Sequence, residues 1–174
     1  MNEDNKIIIE SEDLDVMEER RLKGVSSIRV LKFILGGENY CVLITQVKEV
    51  IRVPDMTHIP MVPSFVKGVM NLRGEIISVM DIREFFGLEE SKKALDARIV
   101  ITDVLGYTVG ILVDGVRGTE DIEESSVQAP LATLKKELMA FTKGQVQWGE
   151  DIFTLLDLEK VLGFSEIERL RKGE

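Results

Sequence analysis

Phe65 to Gly87, FVKGVMNLRGEIISVMDIREFFG, recurs without a gap 76 positions later as Phe141 to Gly163, FTKGQVQWGEDIFTLLDLEKVLG. Many matching positions in the two copies carry identical or chemically similar residues, including the glycine that closes each copy. A period of this length is too long for a solenoid repeat and suits one small barrel. The sequence therefore predicts an internal duplication with two similar units.

Each copy has the local pattern of a strand that leads into a short helix. The run from Ile76 to Met80 is apolar and rich in β-branched residues, which predicts a buried strand. Asp81 follows at a position where a carboxylate can accept the free N–H groups of a first helical turn, and Gly87 supplies a left-handed stop. Asp157 and Gly163 occupy the equivalent positions, so we expect the same cap and the same stop in the second copy.

The regions outside the repeat also contain short strands. Hairpins are predicted over 28–43 and over 98–113, and we align Tyr107 of the second hairpin with Tyr40 of the first. Residues 44–52, ITQVKEVIR, have apolar side chains at helical spacing and are predicted to form one short helix.

Many short strands and 14 glycines favour an all-β chain of two small barrels. A parallel α/β fold is disfavoured, because the segments between strands are too short for crossover helices. The polar run 88–96 is the expected boundary between the two units. The sequence leaves open whether each barrel is built from one unit or whether the units exchange strands.

Charge and composition limit the classes of partner. The net charge of −9 disfavours nucleic acid and anionic membrane, since no concentrated basic patch is visible. No apolar run approaches the roughly 20 residues that span a bilayer, and no signal peptide is recognisable, so we expect a cytoplasmic protein without membrane insertion. Residues 1–25 carry eight acidic and four basic side chains and are predicted to form an acidic tail. Residues 165–174 are predicted to form a short C-terminal helix.

Few residues suggest a chemical reaction. The single histidine, His58, and the single cysteine, Cys41, do not form a metal or thiolate motif, so we expect neither a metal nor a cofactor. Cys41 lies in a strand-like run and is predicted to be a buried, inert thiol. Asp81 and Asp157 could act as acid and base if the repeat brought them together, but helix capping explains both residues without a catalytic site.

The segment Asn71-Leu72-Arg73-Gly74 differs from its copy, Gln147-Trp148-Gly149-Glu150. Arg73 has no counterpart there, which indicates a role other than building the fold. Arg73 is either a solvated residue beside a turn or an anchor for a carboxylate or carbonyl of a partner, because its guanidinium is a rigid fork of donors.

Five segments of this sequence resemble successive blocks of the CheW-type chemotaxis coupling proteins: FILGGENYCVLITQVKEVI, IPMVPSFVKGVMNLRG, IISVMDIREFFG, GYTVGILVDGV and FTLLDLEKVLG. The resemblance covers about Ile28 to Gly163. It implies a CheW-like domain over 26–164 with two SH3-like five-stranded β-barrels that share a core. It also implies a non-catalytic adaptor, monomeric when free, that joins the tips of chemoreceptors to the regulatory domain of the histidine kinase CheA at membrane-associated receptor arrays.

The resemblance implies two binding surfaces. The positions similar to the kinase-binding surface are Val47, Glu49, Val50, Ile51 and Met56. The positions similar to the receptor-binding surface are Asn71, Leu72, Arg73, Ile99 and Val109. Two alternatives stay open: a CheW-like module of a related signalling protein, and a small enzyme that uses the two repeated aspartates.

Overall fold

The computed structural model describes residue 19 and residues 23–89 and 95–163 of the 174-residue chain. Ten strands dominate the fold: β1 (Ser27–Leu35), β2 (Glu38–Leu43), β3 (Val47–Arg52), β4 (Val66–Leu72), β5 (Glu75–Met80), β6 (Arg98–Val104), β7 (Tyr107–Val113), β8 (Gly115–Glu123), β9 (Thr142–Trp148) and β10 (Asp151–Leu156). The helical elements are short: the 3₁₀ helices Ile44–Gln46, Arg83–Phe86 and Glu124–Ser126, and the α-helices α1 (Lys136–Met139) and α2 (Leu158–Leu162). The predicted C-terminal helix and most of the predicted acidic tail lie outside the described residues.

The strands form two five-stranded sheets, which confirms the mainly β prediction. The first sheet has the order β8-β1-β2-β10-β9, and the second has the order β3-β6-β7-β5-β4. Each sheet contains one parallel pair, β2 with β10 and β5 with β7, among otherwise antiparallel neighbours. Each sheet thus combines a hairpin from one half of the chain with three strands from the other half, so the two units exchange strands. The segment 88–96 divides the repeats in sequence, but it does not divide the sheets in space.

The chain changes sheets at two short crossings. After β2 it passes from the first sheet to the second through the 3₁₀ helix Ile44–Gln46, and after β7 it returns to the first sheet at Asp114. The backbone N–H of Asp114 donates to the carbonyl of Ile34 in β1 at 2.9 Å. The second crossing is therefore fixed to the first sheet by its own backbone.

The predicted helix over 44–52 is wrong. Only Ile44–Gln46 is helical, and from Val47 the chain is a strand whose residues alternate between partly buried and exposed. β3 pairs with β6 in antiparallel register from Val47 opposite Thr102 to Arg52 opposite Arg98. Pairing satisfies the backbone groups of this β-branched segment, whereas an isolated helix of two turns would be marginal.

The repeat folds as a hairpin followed by a helical turn in both copies, and one glycine of each copy has the same steric role. A Cβ on Gly68 would lie 2.6 Å from the carbonyl oxygen of Thr57, and a Cβ on Gly144 would lie 2.7 Å from the carbonyl oxygen of Gln128. In each barrel an isolated bridge, Thr57 with Val69 or Gln128 with Gln145, pairs a connecting segment with the strand at this point. Each glycine allows that segment to close the barrel.

The main apolar core joins the two sheets. Its buried residues include Phe33 and Tyr40 of the first sheet and Val100 and Ile111 of the second. Phe86, which follows β5, is fully buried and stacks on Tyr40 with ring centroids 5.8 Å apart. Burial of a side chain of this size stabilises the fold by about 1.5–3 kcal/mol, so the shared core holds the sheets together.

Two details of the strand predictions are wrong. Ile76 lies in β5 as predicted, but its side chain is 68% exposed, because the strand pairs with β7 only at its far end. Tyr107 is 42% exposed, whereas Tyr40 is fully buried. The sheet register makes Val109 the equivalent of Tyr40, so alignment of the two tyrosines by identity shifts the second hairpin by two residues.

Candidate functional site

An exposed ion pair links the two edge strands of the second sheet, β3 and β4. Arg73, in the turn after β4, donates from Nη1 to Oε1 of Glu49 in β3 at 2.7 Å and from Nη2 to Oε2 at 2.9 Å. The Arg73 side chain is 76% exposed and the Glu49 side chain 25% exposed. This bidentate geometry fixes the planes of both groups. We name Glu49 together with Asn71 to Arg73 the seam.

The turn that carries Arg73 is a two-residue hairpin turn with left-handed backbone at both central positions. Arg73 has φ 51° and Gly74 has φ 89°. The side chain of Asn71 accepts the backbone N–H of Gly74 at 3.0 Å and so holds the turn closed. A left-handed conformation costs a non-glycine residue about 1–2 kcal/mol, and here that conformation aims the guanidinium across the sheet edge toward β3.

The structure brings together residues that the sequence assigns to two different surfaces. Glu49 belongs to the predicted kinase-binding set and Arg73 to the predicted receptor-binding set, yet the two side chains touch. Val50, the next residue of β3, is 36% exposed, but its side chain lies on the opposite face of the strand, where it lines a pocket with Ile34 and Asp114. Ile51, Met56 and Leu72 are partly buried and pack against an apolar cluster inside the second sheet.

Two predicted receptor-binding residues belong to the core. Ile99 is fully buried among Met70, Ile77 and Ile101, and Val109 is only 8% exposed. Ile99 therefore cannot contact a partner directly, so its assignment to a binding surface is corrected. A Cβ on Gly110 would lie 2.6 Å from Cγ2 of Ile99, and this close approach gives Ile99 a packing role.

An apolar groove lies beside β5 and β7, and Val109, one of the predicted receptor-binding residues, is among the residues that line it. Its volume is about 360 Å³, and it is lined by Ile59, Val62, Ile76, Tyr107, Val109 and Leu162, among others. The two strands pair only at Val79 with Gly110 and at Met80 with Ile111. The resemblance points to this groove through Val109. Ile76 could not be assigned to it, because an apolar residue in a predicted strand does not distinguish an exposed position from a buried one.

The two repeated aspartates have different surroundings. Asp157 accepts the backbone N–H of Lys160 at 3.2 Å and caps α2. Asp81 accepts the backbone N–H of Arg83 at 3.1 Å, but its carboxylate mainly binds the Arg83 guanidinium, with Nε to Oδ1 at 2.8 Å. Among the described residues each carboxylate bonds to groups at its own corner and not to the other carboxylate. Their contacts are structural and do not form an acid–base pair.

The two repeat glycines also differ. Gly87 has φ 63° and ends the 3₁₀ helix in the predicted left-handed conformation. Gly163 has φ −85°, so the predicted left-handed stop is wrong for the second copy. A Cβ on Gly163 would lie 2.8 Å from the carbonyl oxygen of Glu159, so close packing against the preceding turn explains this glycine.

Two buried groups of β2, the Cys41 thiol and the Tyr40 hydroxyl, are neutral at physiological pH. Burial raises the pKa of the Cys41 thiol to about 12, against a smaller opposing effect of Lys32. Burial, with the nearby Glu38 carboxylate, raises the pKa of Tyr40 far above its ordinary value. Within 23–89 and 95–163, no group of three or more His, Cys, Asp or Glu side chains is arranged to hold a metal ion. No helix in the same part of the chain is long and apolar enough to cross a bilayer.

Comparison with known proteins identifies the family. The model of the CheW-like domain matches residues 29–166. A chemotaxis protein CheW of Treponema pallidum is 30% identical over 146 residues, covering 82% of this chain and 86% of that protein. A chemotaxis protein CheW of Klebsiella aerogenes is 32% identical over 140 residues, covering 79% and 82%. Protein PilI of Pseudomonas aeruginosa is 30% identical over 122 residues, covering 70% and 68%.

A solved structure has the same fold. The crystal structure of the scaffolding protein TtCheW from Thermoanaerobacter tengcongensis superposes with a TM-score of 0.71 at 31% identity, and the match covers 81% of this chain and 96% of that one. Its two SH3-like barrels correspond to the two five-stranded sheets described above. The chain belongs to the CheW-like family, a family of chemotaxis scaffold proteins.

Proposed function

We propose that this protein is a non-catalytic adaptor that couples chemoreceptors to the histidine kinase CheA. Family membership and the solved scaffolding relative support this role. The observation that carries it is the exposed ion pair between Glu49 and Arg73 at the edge of the second sheet.

The energy balance of this ion pair favours a binding role over a structural one. An exposed pair contributes about 0–1 kcal/mol to stability, which is no more than the left-handed backbone of Arg73 costs. Leu72, next to Arg73 in the chain, is partly buried, and apolar residues beside an arginine fork are the common composition of an interface. Glu49 takes only two of the five N–H donors of the guanidinium, so a carboxylate or carbonyl of a partner can bind the others.

The two partners share the seam in this proposal. The regulatory domain of the kinase contacts the β3 side, at Val47, Glu49, Val50, Ile51 and Met56. The tip of the receptor contacts the turn side, at Asn71, Leu72 and Arg73. Because Glu49 and Arg73 bind each other, occupation of one side changes the geometry of the other. The adaptor is then a cytoplasmic protein, monomeric when free, that these contacts recruit to receptor arrays.

Exchange of the two charges tests whether a partner recognises Arg73 itself. In a reconstitution of receptor fragment, kinase and adaptor, Arg73→Ala should lower receptor-dependent phosphotransfer, since loss of an interface arginine commonly costs more than about 1 kcal/mol of binding. Arg73→Lys should rescue only part of the loss, because lysine keeps the charge without the planar fork. The double variant Glu49→Arg with Arg73→Glu keeps an internal ion pair but should remain defective.

The matched control is Lys48→Ala. Lys48 precedes Glu49 in β3, and the substitution removes its exposed ion pair with Asp103 of β6, in which Nζ and Oδ2 are 3.3 Å apart. It should leave phosphotransfer unchanged. Full activation by a folded Arg73→Ala protein would overturn the role of Arg73. Failure of the wild-type protein to bind either partner would instead favour a CheW-like module of a related signalling system.

A further inference from the structure

A buried charged cluster lies where the two sheets meet, away from the seam. The side chain of Arg83, directly after β5 of the second sheet, is 6% exposed. Its guanidinium binds the carboxylate of Asp81, with Nη2 to Oδ2 at 2.5 Å, and donates from Nη1 to Oδ1 of Asp114 at 3.1 Å. Lys67 lies 3.7 Å from Asp81, so two cations balance two carboxylates.

Asp114 connects this cluster to the first sheet. It lies at the crossing from β7 to β8, and its side chain is 10% exposed. Oδ1 faces Arg83, whereas Oδ2 accepts the backbone N–H of Gly36, in the turn between β1 and β2, at 2.7 Å. The two oxygens of this carboxylate therefore bind different sheets: Oδ1 binds Arg83 of the second sheet, and Oδ2 binds Gly36 of the first.

The second copy of the repeat builds the same corner without such a cluster. Glu159, which is exposed, stands at the position of Arg83. Among the described residues, the carboxylate of Asp157 contacts only Lys160. It accepts a hydrogen bond from the backbone N–H of Lys160, and the exposed Lys160 ammonium lies 4.0 Å away. A barrel corner therefore folds without a buried arginine, so the arginine of the first copy has a further role.

We propose that Arg83 and Asp114 form a clamp that fixes the angle between the two sheets. The shared core is apolar and nondirectional, so it favours contact between the sheets without selecting one orientation. Hydrogen bonds between charged groups are directional, and a buried ion pair serves specificity of arrangement more than stability. The clamp sets the orientation of the first sheet relative to the second sheet, whose edge carries the seam.

Asp114→Asn separates the clamp from the general stability of the fold. The amide oxygen of asparagine can still accept the N–H of Gly36, but its NH2 group would face Arg83 and cannot accept a hydrogen bond from it. Arg83 keeps Asp81 as its counter-ion. The matched control is Asp121→Asn, which breaks another arginine–aspartate pair, Arg29 with Asp121 at 2.7 and 2.6 Å, between β1 and β8 of a single sheet.

Distances between spin labels on the two sheets measure the effect of the clamp directly. Glu75 and Asp151 are exposed, equivalent positions of the two repeats, and each can carry a label on an introduced cysteine in a Cys41→Ala background. The distance distribution should be narrow in the wild type and in Asp121→Asn, and it should broaden or shift in Asp114→Asn. An unchanged distribution in Asp114→Asn would overturn the clamp. If Asp114→Asn does not fold, Arg83→Lys, which cannot reach both carboxylates with a planar fork, decides by the same criterion.

The second measurement rests on the proposed adaptor function. Both proposed binding surfaces lie on the second sheet, so Asp114→Asn should bind receptor and kinase as the wild type does and should support receptor-dependent phosphotransfer to within about twofold. Loss of binding to either partner would contradict a clamp whose effect is confined to the angle between the sheets. Loss of wild-type binding to both partners would refute the adaptor function, and the label distances alone would then decide whether the clamp fixes the angle between the sheets.

Discussion

The two copies of the repeat build the same hairpin and the same corner. Among the contacts of the described residues, however, the charged side chains that reach other elements, Arg73 and Arg83, belong to the first copy. Glu49 and Arg73 pair across the open edge of the second sheet. The first sheet has glycines at the two equivalent positions. Gly118 corresponds to Glu49 by the register of the sheets, and Gly149 corresponds to Arg73 by the repeat. Positions that determine sterics or burial are kept in both copies. Positions whose side chains contact residues outside the hairpin have diverged. The comparison therefore distinguishes the residues that build the fold from those that give each copy its own contacts.

The largest expected effect distinguishes the two corners. Asp81→Ala leaves the buried Arg83 without its main counter-ion and should lower the free energy of unfolding by about 3–5 kcal/mol. Asp157→Ala removes only a helix cap and should cost about 0.5–2 kcal/mol. Urea unfolding followed by circular dichroism measures both values. Equal losses would mean that both aspartates act only as caps.

A second pair of substitutions concerns the glycines at the equivalent close approaches. Gly68 also has φ 150°, in the region that favours glycine, so Gly68→Ala should be the more destabilising of the two. Gly68→Ala and Gly144→Ala each place a Cβ within 2.7 Å of a backbone carbonyl oxygen. Each should destabilise the protein by about 1–3 kcal/mol, since the connecting segment has to move. Thermal unfolding of the two variants gives the comparison. A loss in Gly144→Ala that equals or exceeds the loss in Gly68→Ala would mean that the close approach determines the cost and the positive φ of Gly68 does not.

The duplication and most strands can be predicted because they depend on local rules. Glycines at close approaches recur at a fixed spacing, and so do the apolar residues on each side of Asp81 and Asp157. The helix predicted over 44–52 is wrong because six residues of a strand also fit a helical period. The deciding factor is the pairing with β6, which lies far along the chain.

The exchange of strands and the seam could not be predicted, since both depend on contacts between distant parts of the chain. The sequence of a hairpin does not indicate which sheet the hairpin joins. The hairpin of β6 and β7 belongs to the second sheet, and the chain returns to the first sheet at Asp114. The divergence of the copies identifies Arg73 as unusual. Its partner Glu49 could not be identified, because β3 and β4 are neighbours only when the barrel closes.

A third comparison concerns volume compensation between the sheets. Val30 and Cys41 of the first sheet correspond to Ile99 and Gly110 of the second, so a larger residue faces a smaller one. Gly110→Ala should cost about 1–3 kcal/mol by overpacking, and the added change Ile99→Val should recover part of the loss. Chemical denaturation of the two single variants and the double variant measures this coupling. Additive losses would mean that the two side chains do not compete for space.

The smallest expected effect concerns the stability of the seam itself. A double-mutant cycle of Glu49→Ala and Arg73→Ala should give a coupling free energy of about 0.2–1 kcal/mol, because an exposed pair gains little in water. Added salt should reduce it further, since screening acts on exposed charges. The same cycle measured as binding to the kinase or the receptor should give a larger coupling, because a partner removes water from the pair. A coupling free energy as large for stability as for binding would mean that the ion pair serves to close the barrel. The two sheets would then differ only in how their edge strands are joined.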